Sequence, residues 1–317
     1  METSLPDYRS LPRTADGVGS AWGLFGPGDS TGLVHLLTAE RVRSAVSSVR
    51  TGTVFPLDLP VGYVTPSLFQ RGTARHTVIE RRPGRGLDDA LDNYYPQSGS
   101  QWDSLGHAPY APDVFYGGAT AAEVKRGERN TIDHWARHGM AGRGILLDLA
   151  DVVAERGGPG ASVALTVADF ERALAATGLT VEPGDVLLFR TGFTAWYAEQ
   201  TADVRERMGV RGGLSAAGIE HSEEMAAFLW DLHIAGIASD APAVEVFPPD
   251  NTPEGEPFGN MHRILIGQFG LALGELWQLD ALAAHCRARA AHDFLLVSAP
   301  LNVPGGIGSP ANAVAIA

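Results

Sequence analysis

The chain of 317 residues contains one cysteine, one lysine and no long run of apolar residues, and the first and last of these shortages each exclude a class of function. Cys286 has no second cysteine with which to form an intramolecular disulfide, which fits a reducing compartment and points to the cytoplasm. It falls at helical spacing with Leu279, Leu282 and Ala283, so packing is its expected role rather than nucleophilic chemistry. Lys125 is the sole lysine, a skew that speaks of composition more than of function. Nowhere do about eighteen apolar residues run without a charge, so no membrane span is expected. The first thirty residues carry Asp7, Arg9, Arg13 and Asp16 and no apolar segment of signal-peptide type. Phosphate-binding and serine-hydrolase signatures are missing too: there is no P-loop, no strand-linked GxGxxG and no GxSxG elbow at a strand-to-helix turn. Gly305-Gly306-Ile307-Gly308 is glycine-rich but has no helix behind it. A formal charge of −13 argues against nucleic acid or an anionic membrane as partner.

What is present is the composition of a folded domain, 44% hydrophobic and 19% charged, long enough for a substantial core. Residues 1–30, rich in Gly, Pro, Asp and Ser, read as an arm over the surface, with Trp22 and Phe25 to pin it. Residues 31–317 read as one domain. Thr38 caps a predicted helix with Val42, Ala45, Val46 and Val49 on one face, and Gly52 ends it. Strands are expected at 53–59 and 76–80, followed by a polar loop over 81–93. Apolar runs at 144–149, 185–191, 234–239 and 294–298 have strand length. Helical patterns at 119–126, 132–137, 167–176, 222–233 and from Leu279 alternate with them, which implies an α/β core with a partly parallel sheet. The long Pro/Gly/acidic segment 240–261 has the character of a lid or binding loop.

The chemistry concentrates in Ser100-Gln101-Trp102-Asp103-Ser104-Leu105-Gly106-His107. Asp103 and His107, four residues apart, can converge on one site from a helical turn or tight loop, to hold a metal or move a proton. The plain alternative is an Asx-type cap beside a histidine bonded to backbone. Of the ten histidines, His134 and His138 have metal-ligand spacing without an acidic or cysteine partner, and His221 and His233 suit capping at a helix end. His262 differs because it leaves the long loop and opens the apolar run Ile264-Leu265-Ile266. Glu275 interrupts Leu271-Ala-Leu-Gly-Glu-Leu-Trp277 and must be partnered, since burying a lone charge is costly; an ion pair with an arginine is the other way to satisfy it.

At these residues the chain resembles the cyclase-like family that includes kynurenine formamidase and isatin hydrolase. That family's hallmark, H-x-G-T-H-x-D-x-P-x-H, falls here on Gln97-Ser-Gly99-Ser100-Gln101-Trp102-Asp103-Ser-Leu105-Gly-His107. The chain is similar to a longer branch that carries a QWD-x-L-x-H version, and the similarity runs in blocks from Trp22 to Asn312. The resemblance implies an α/β fold of the swivelling β/β/α type with a central mixed, barrel-like sheet, assembled as a homodimer or homotetramer. It implies Asp103 as a metal ligand, His107 as the catalytic histidine, and His262 with Glu275 as the later pair. Gln97 and Gln101 stand where the family has two histidine ligands, so the expected ion, Mn²⁺ or Zn²⁺, would be held by Asp103, His262, Glu275 and Gln101. Gln97, Gln101, Trp102, Tyr94 and Tyr95 are the expected substrate-binding residues, with Trp277 a further candidate for the pocket's apolar wall.

Three functions follow from this set. The first is a hydrolase of an amide, cyclic amide or ester in a small aromatic molecule, with water activated by a divalent metal, by His107 or by both. The second is a metal-independent lyase, dehydratase or ring-closing cyclase of secondary metabolism, using His107 and Asp103 as an acid–base pair. The third is a binder without catalysis.

Overall fold

The computed structural model describes residues 5–317; the first four residues of the predicted arm lie outside the described residues. Among the described residues there are thirteen strands: β1 (Val54–Pro56), β2 (Arg75–Glu80), β3 (Leu87–Asp92), β4 (Gln101–Asp103), β5 (Met140–Asp148), β6 (Ala164–Leu165) and β7 (Val186–Arg190). They continue with β8 (Gly218–Ile219), β9 (Gly236–Ser239), β10 (Ala272–Glu275), β11 (Asp293–Ser298), β12 (Gly308–Pro310) and β13 (Ala313–Ile316). Nine of them form one sheet in the order β1-β13-β11-β5-β7-β9-β10-β4-β12. Strands β5, β7, β9 and β10 run parallel, while both flanks pair antiparallel. The result is a mixed α/β fold around a large curled sheet, a half-barrel.

The apolar runs become the parallel centre because those strands are covered on both faces. Ile145, Leu146 and Leu147 are fully buried, as are Leu187, Leu188 and Phe189 on the neighbouring strand. Helix Val167–Thr177 begins at a reciprocal cap, in which Thr166 and Asp169 satisfy each other's backbone N–H, and ends on Gly178 in the left-handed region. Helix Glu223–Asp231 starts from Ser222, whose hydroxyl accepts from the Met225 N–H, and buries Met225, Ala226, Leu229 and Trp230. The helix Asp280–Arg289 buries Cys286 together with Leu282 and Ala283.

Three expectations change. The helix after Thr38 spans only Ala39–Ala45 and passes into a 3-10 turn at Val46–Ser48, with Val46 55% exposed. Serine hydroxyls interrupt it: Ser47 bonds back to the Ser44 carbonyl and Ser48 to Asp293. The strand predicted over 53–59 is three residues long. The stretch predicted as a polar loop over 81–93 holds β3, which pairs with β2 as a hairpin standing away from the core. No burial period marks this hairpin because most of its residues face solvent on both sides. Among the described residues no helix is long and apolar enough to cross a membrane.

Candidate active site

Strand β4 carries the central motif near one edge of the sheet, between β10 and the edge strand β12. Its residues alternate, so Gln101 and Asp103 share one face and Trp102 takes the other. Antiparallel pairing places Glu275 of β10 opposite Gln101, which puts that carboxylate on the same face. On the far side Trp102 packs edge to face against Trp277, ring centres 4.8 Å apart. Trp277 donates to the Gln101 carbonyl at 3.0 Å, and Trp102 to the Ser298 hydroxyl at 2.9 Å. Both indoles therefore hold the floor of the site in place from behind. Tyr94 and Tyr95 lie outside the cavity described below, and Tyr95 is 44% exposed.

His262 sits at the start of helix Met261–Leu265, capped by Asn260. Its Nε2 is 2.9 Å from Glu275 Oε1, and its Nδ1 makes a close contact with Glu245 Oε1. Glu245 also accepts the backbone N–H of Met261 at 2.7 Å and of His262 at 3.0 Å, and its Oε2 lies 2.8 Å from His221 Nε2. Burial opposes the charged forms of both partners, but the imidazoles at its oxygens hold Glu245 down at about 2. The two flanking carboxylates, against the same burial, raise His262 well above its ordinary value. The ring thus lies between two carboxylates, one at each nitrogen. Glu275 itself is raised by burial and by the nearby Asp103 charge.

Gln97 links Asp103 to His107. Its side-chain nitrogen bonds Asp103 Oδ1 and lies 2.9 Å from His107 Nδ1, whereas Asp103 and His107 are themselves 3.8 Å apart. An amide N–H aimed at Nδ1 leaves the neutral ring's proton on Nε2, which has no protein partner among the described residues. Arg71 fixes the loop by donating to the Gln97 carbonyl. Room for Gln97 comes from Gly308 on β12, where a Cβ would stand 2.5 Å from the Gln97 Cγ. The glycine-rich tail thus serves the site by its small size. Gly218 does the same for Glu245, whose carbonyl carbon would lie 2.2 Å from an added Cβ.

His107, His262, Glu245 and Glu275 line one cavity of about 780 Å³. Its apolar wall is built from Phe69, Pro109, Tyr110, Pro112, Phe247 and Pro249. The predicted segment 240–261 supplies much of the rim. Asp103, His262 and Glu275 can hold a metal ion, since one ligand atom from each lies within 4.8 Å of the others. The donor set fits such an ion: Asp103 Oδ2 and Gln101 Oε1 are buried and unpartnered, a carboxylate and a neutral carbonyl oxygen in want of a cation. The other Glu275 oxygen accepts from the Gln101 amide at 2.5 Å.

Sequence reasoning passed over Glu245 and the apolar wall, and read His221 as a helix cap. Glu245 stands in Ala243-Val-Glu-Val-Phe247, and the argument that a charge inside an apolar run needs a partner applies to it as it does to Glu275. His221 faces Glu245 rather than capping a helix. Phe69 and Arg71 carried no such signal.

Known proteins resemble this chain in sequence and in fold. The family model described as "Putative cyclase" matches residues 58–246, a span that contains Gln97, Gln101, Asp103 and His107. A crystal structure of a novel cyclase superposes with a TM-score of 0.81 at 27% identity, covering 94% of this chain and 99% of that one. Isatin hydrolase A from Labrenzia aggregata, bound to benzyl benzoate, gives a TM-score of 0.61 at 17% identity over 87% of this chain and 97% of its own. The Ralstonia solanacearum isatin hydrolase A gives 0.56 at 16% identity, covering 88% and 97%. The isatin hydrolases share the fold. No curated protein matches the chain.

Proposed function

The chain belongs to the cyclase family, and from that premise we propose that it is a hydrolase of an amide, cyclic amide or ester bond in a small aromatic molecule. The observation that carries this reading is the pair of buried, unpartnered oxygens, Asp103 Oδ2 and Gln101 Oε1, on the sheet face of Glu275, which lines the cavity with His107 and His262. A divalent ion held by Asp103, His262 and Glu275, with Gln101 as a neutral ligand, would polarise the scissile carbonyl and lower the pKa of water. Glu245 orients His262 by occupying Nδ1, which directs Nε2 toward Glu275 and the donor set. His107 moves the proton: water attacks the carbonyl carbon, its proton passes to His107, and the same proton reaches the leaving nitrogen or oxygen as the bond breaks. Uptake at Nε2 requires the ring's own proton on Nδ1, facing the Gln97 carbonyl, so the Gln97 amide turns over relative to the arrangement seen. Phe69, Tyr110 and Phe247 give the substrate's ring its apolar surroundings.

A second reading is favoured by that same proton arrangement. With Gln97 donating to Nδ1, His107 offers Nε2–H to the substrate, and His262 is already hydrogen-bonded to both Glu245 and Glu275. Such a site suits a metal-independent lyase, dehydratase or ring-closing enzyme with a carboxylate as base.

Metal analysis and turnover on a panel of aryl amides, lactams including isatin, and esters separate the two. The hydrolase reading expects a stoichiometric divalent metal, and turnover abolished by chelator and lowered at least about a hundredfold by His107→Ala. Metal-free protein whose turnover ignores chelator supports the second reading instead.

A further inference from the structure

The cavity holds one cation, Arg71, that no carboxylate meets at ion-pair distance, although its charge acts on Glu275 from further off. Arg263 is spent on Glu256, at 2.6 Å, and on the Tyr110 carbonyl, at 2.8 Å. His262 is enclosed by Glu245 and Glu275. Among the described residues Arg71 makes no ion pair, although it lines the same cavity. Its guanidinium lies over the Phe69 ring, 5.1 Å from the centre, and donates one N–H to the Gln97 carbonyl. That leaves several of its five donors unused and places the charge one residue from the side chain that touches Asp103 and His107. The segment carrying it is bent into position, with Phe69 at φ 57° and Gln70 at φ 58°, two successive non-glycine residues in the left-handed region.

The cavity's other cations are each held by a carboxylate within hydrogen-bond distance, so Arg71 is the one free to pair with a ligand. In a protein of net charge −13 the cation is not part of a general basic surface. A planar guanidinium stacked on an aromatic ring pairs with a carboxylate in fork geometry, and the flanking Phe69, Phe247 and Tyr110 accept a flat apolar body. We infer that Arg71 is the anchor for a carboxylate on the ligand, and that the substrates of this cavity are aromatic carboxylates bearing the bond to be cleaved. The inference rests on the reading of this cavity as the substrate site.

Binding without turnover tests it. Benzoate and benzamide have the same size and shape and differ in charge, and calorimetric titration of each into the full-length protein reads the difference. Benzoate is expected to bind at least about tenfold tighter, a factor within reach of one charge-assisted pair. Arg71→Gln abolishes that preference and leaves benzamide binding unchanged, and Arg71→Lys retains part of it. The inference is overturned by equal affinity for the two probes, or by no benzoate binding. It is equally overturned by a preference that survives Arg71→Gln, which would seat the carboxylate elsewhere, such as on a metal. Loss of both probes together in Arg71→Gln, with the circular dichroism of the native protein, would make Arg71 a support for Gln97 only. A protein that prefers benzoate through Arg71 yet cleaves no member of the hydrolysis panel would sink the hydrolase reading alone.

Discussion

At the scale of single residues the site turns on Glu245. Its two oxygens meet two imidazoles and two backbone N–H groups, and it is 2% exposed. A buried carboxylate with that many donors is fixed in place, and it fixes in turn which nitrogen of His262 faces Glu275. Glu245→Gln keeps the shape but removes the charge. His262 then loses one of the two carboxylates that raise it, so its pKa falls toward the ordinary 6.5. The expected result is a kcat lower by about 10- to 100-fold with KM little changed, because the apolar wall is untouched. Imidazole resonances followed by NMR in chelator-treated protein should show the His262 titration moving to lower pH. An unmoved titration would mean that Glu245 only packs the loop. Gln97 and Gln101 show how far single residues could be read in advance. Their identity announced a departure from a histidine ligand set, but that Gln97 bridges Asp103 and His107 depended on a loop position unreadable from spacing.

At the scale of elements, the helix Val167–Thr177 shows what a cap and an ion pair do together. Asp169 accepts from the Thr166 N–H at 2.9 Å and takes two bonds from Arg156, both at 2.7 Å. The Arg156 guanidinium is the main reason its carboxyl stays well below the usual range. A depressed carboxylate contributes stability that is present above its unfolded value of 3.8 and is lost as pH falls below it. Asp169→Asn should therefore cost about 2 kcal/mol at pH 7, with the cost shrinking below pH 4. Urea unfolding at both pH values checks this, and a pH-independent difference would refute the ion-pair account. Elements of this kind were legible because their signals are local: Thr166, Asp169 and Gly178 mark both ends, and the doubly covered strands are apolar throughout. The β2–β3 hairpin was not legible, since solvent on both faces leaves no period to read. The cavity wall was not legible either, because Phe69, Tyr110 and Phe247 meet only after strands distant in the chain have paired.

At the scale of the whole molecule, the question is whether residues before 30 are an appendage or part of the fold. Tyr8 is 2% exposed, and its backbone N–H donates to Asp231 at 2.6 Å. Trp230 donates to the Pro6 carbonyl at 2.8 Å, and Trp22 donates to the Gly267 carbonyl at 2.8 Å, just past the helix that carries His262. Leu5, Leu11, Val18 and Ala21 join the same core cluster as the central strands. The arm also reaches the cavity: Tyr110, part of its wall, directs its hydroxyl at Asp16 and Thr14. An arm buried this deeply should unfold with the sheet rather than before it. Tyr8→Ala removes a large side chain from a packed position and should cost about 3 kcal/mol. The transition should remain single and coincide by tryptophan fluorescence and far-ultraviolet circular dichroism. Asp16→Ala, nearer the surface, should leave stability almost unchanged and instead raise KM by loosening Tyr110. If Tyr8→Ala produced two separate transitions, with the later one at the native midpoint, the arm would be an independent attachment. Its contacts with Trp230 and Gly267 would then contribute nothing to holding the half-barrel together.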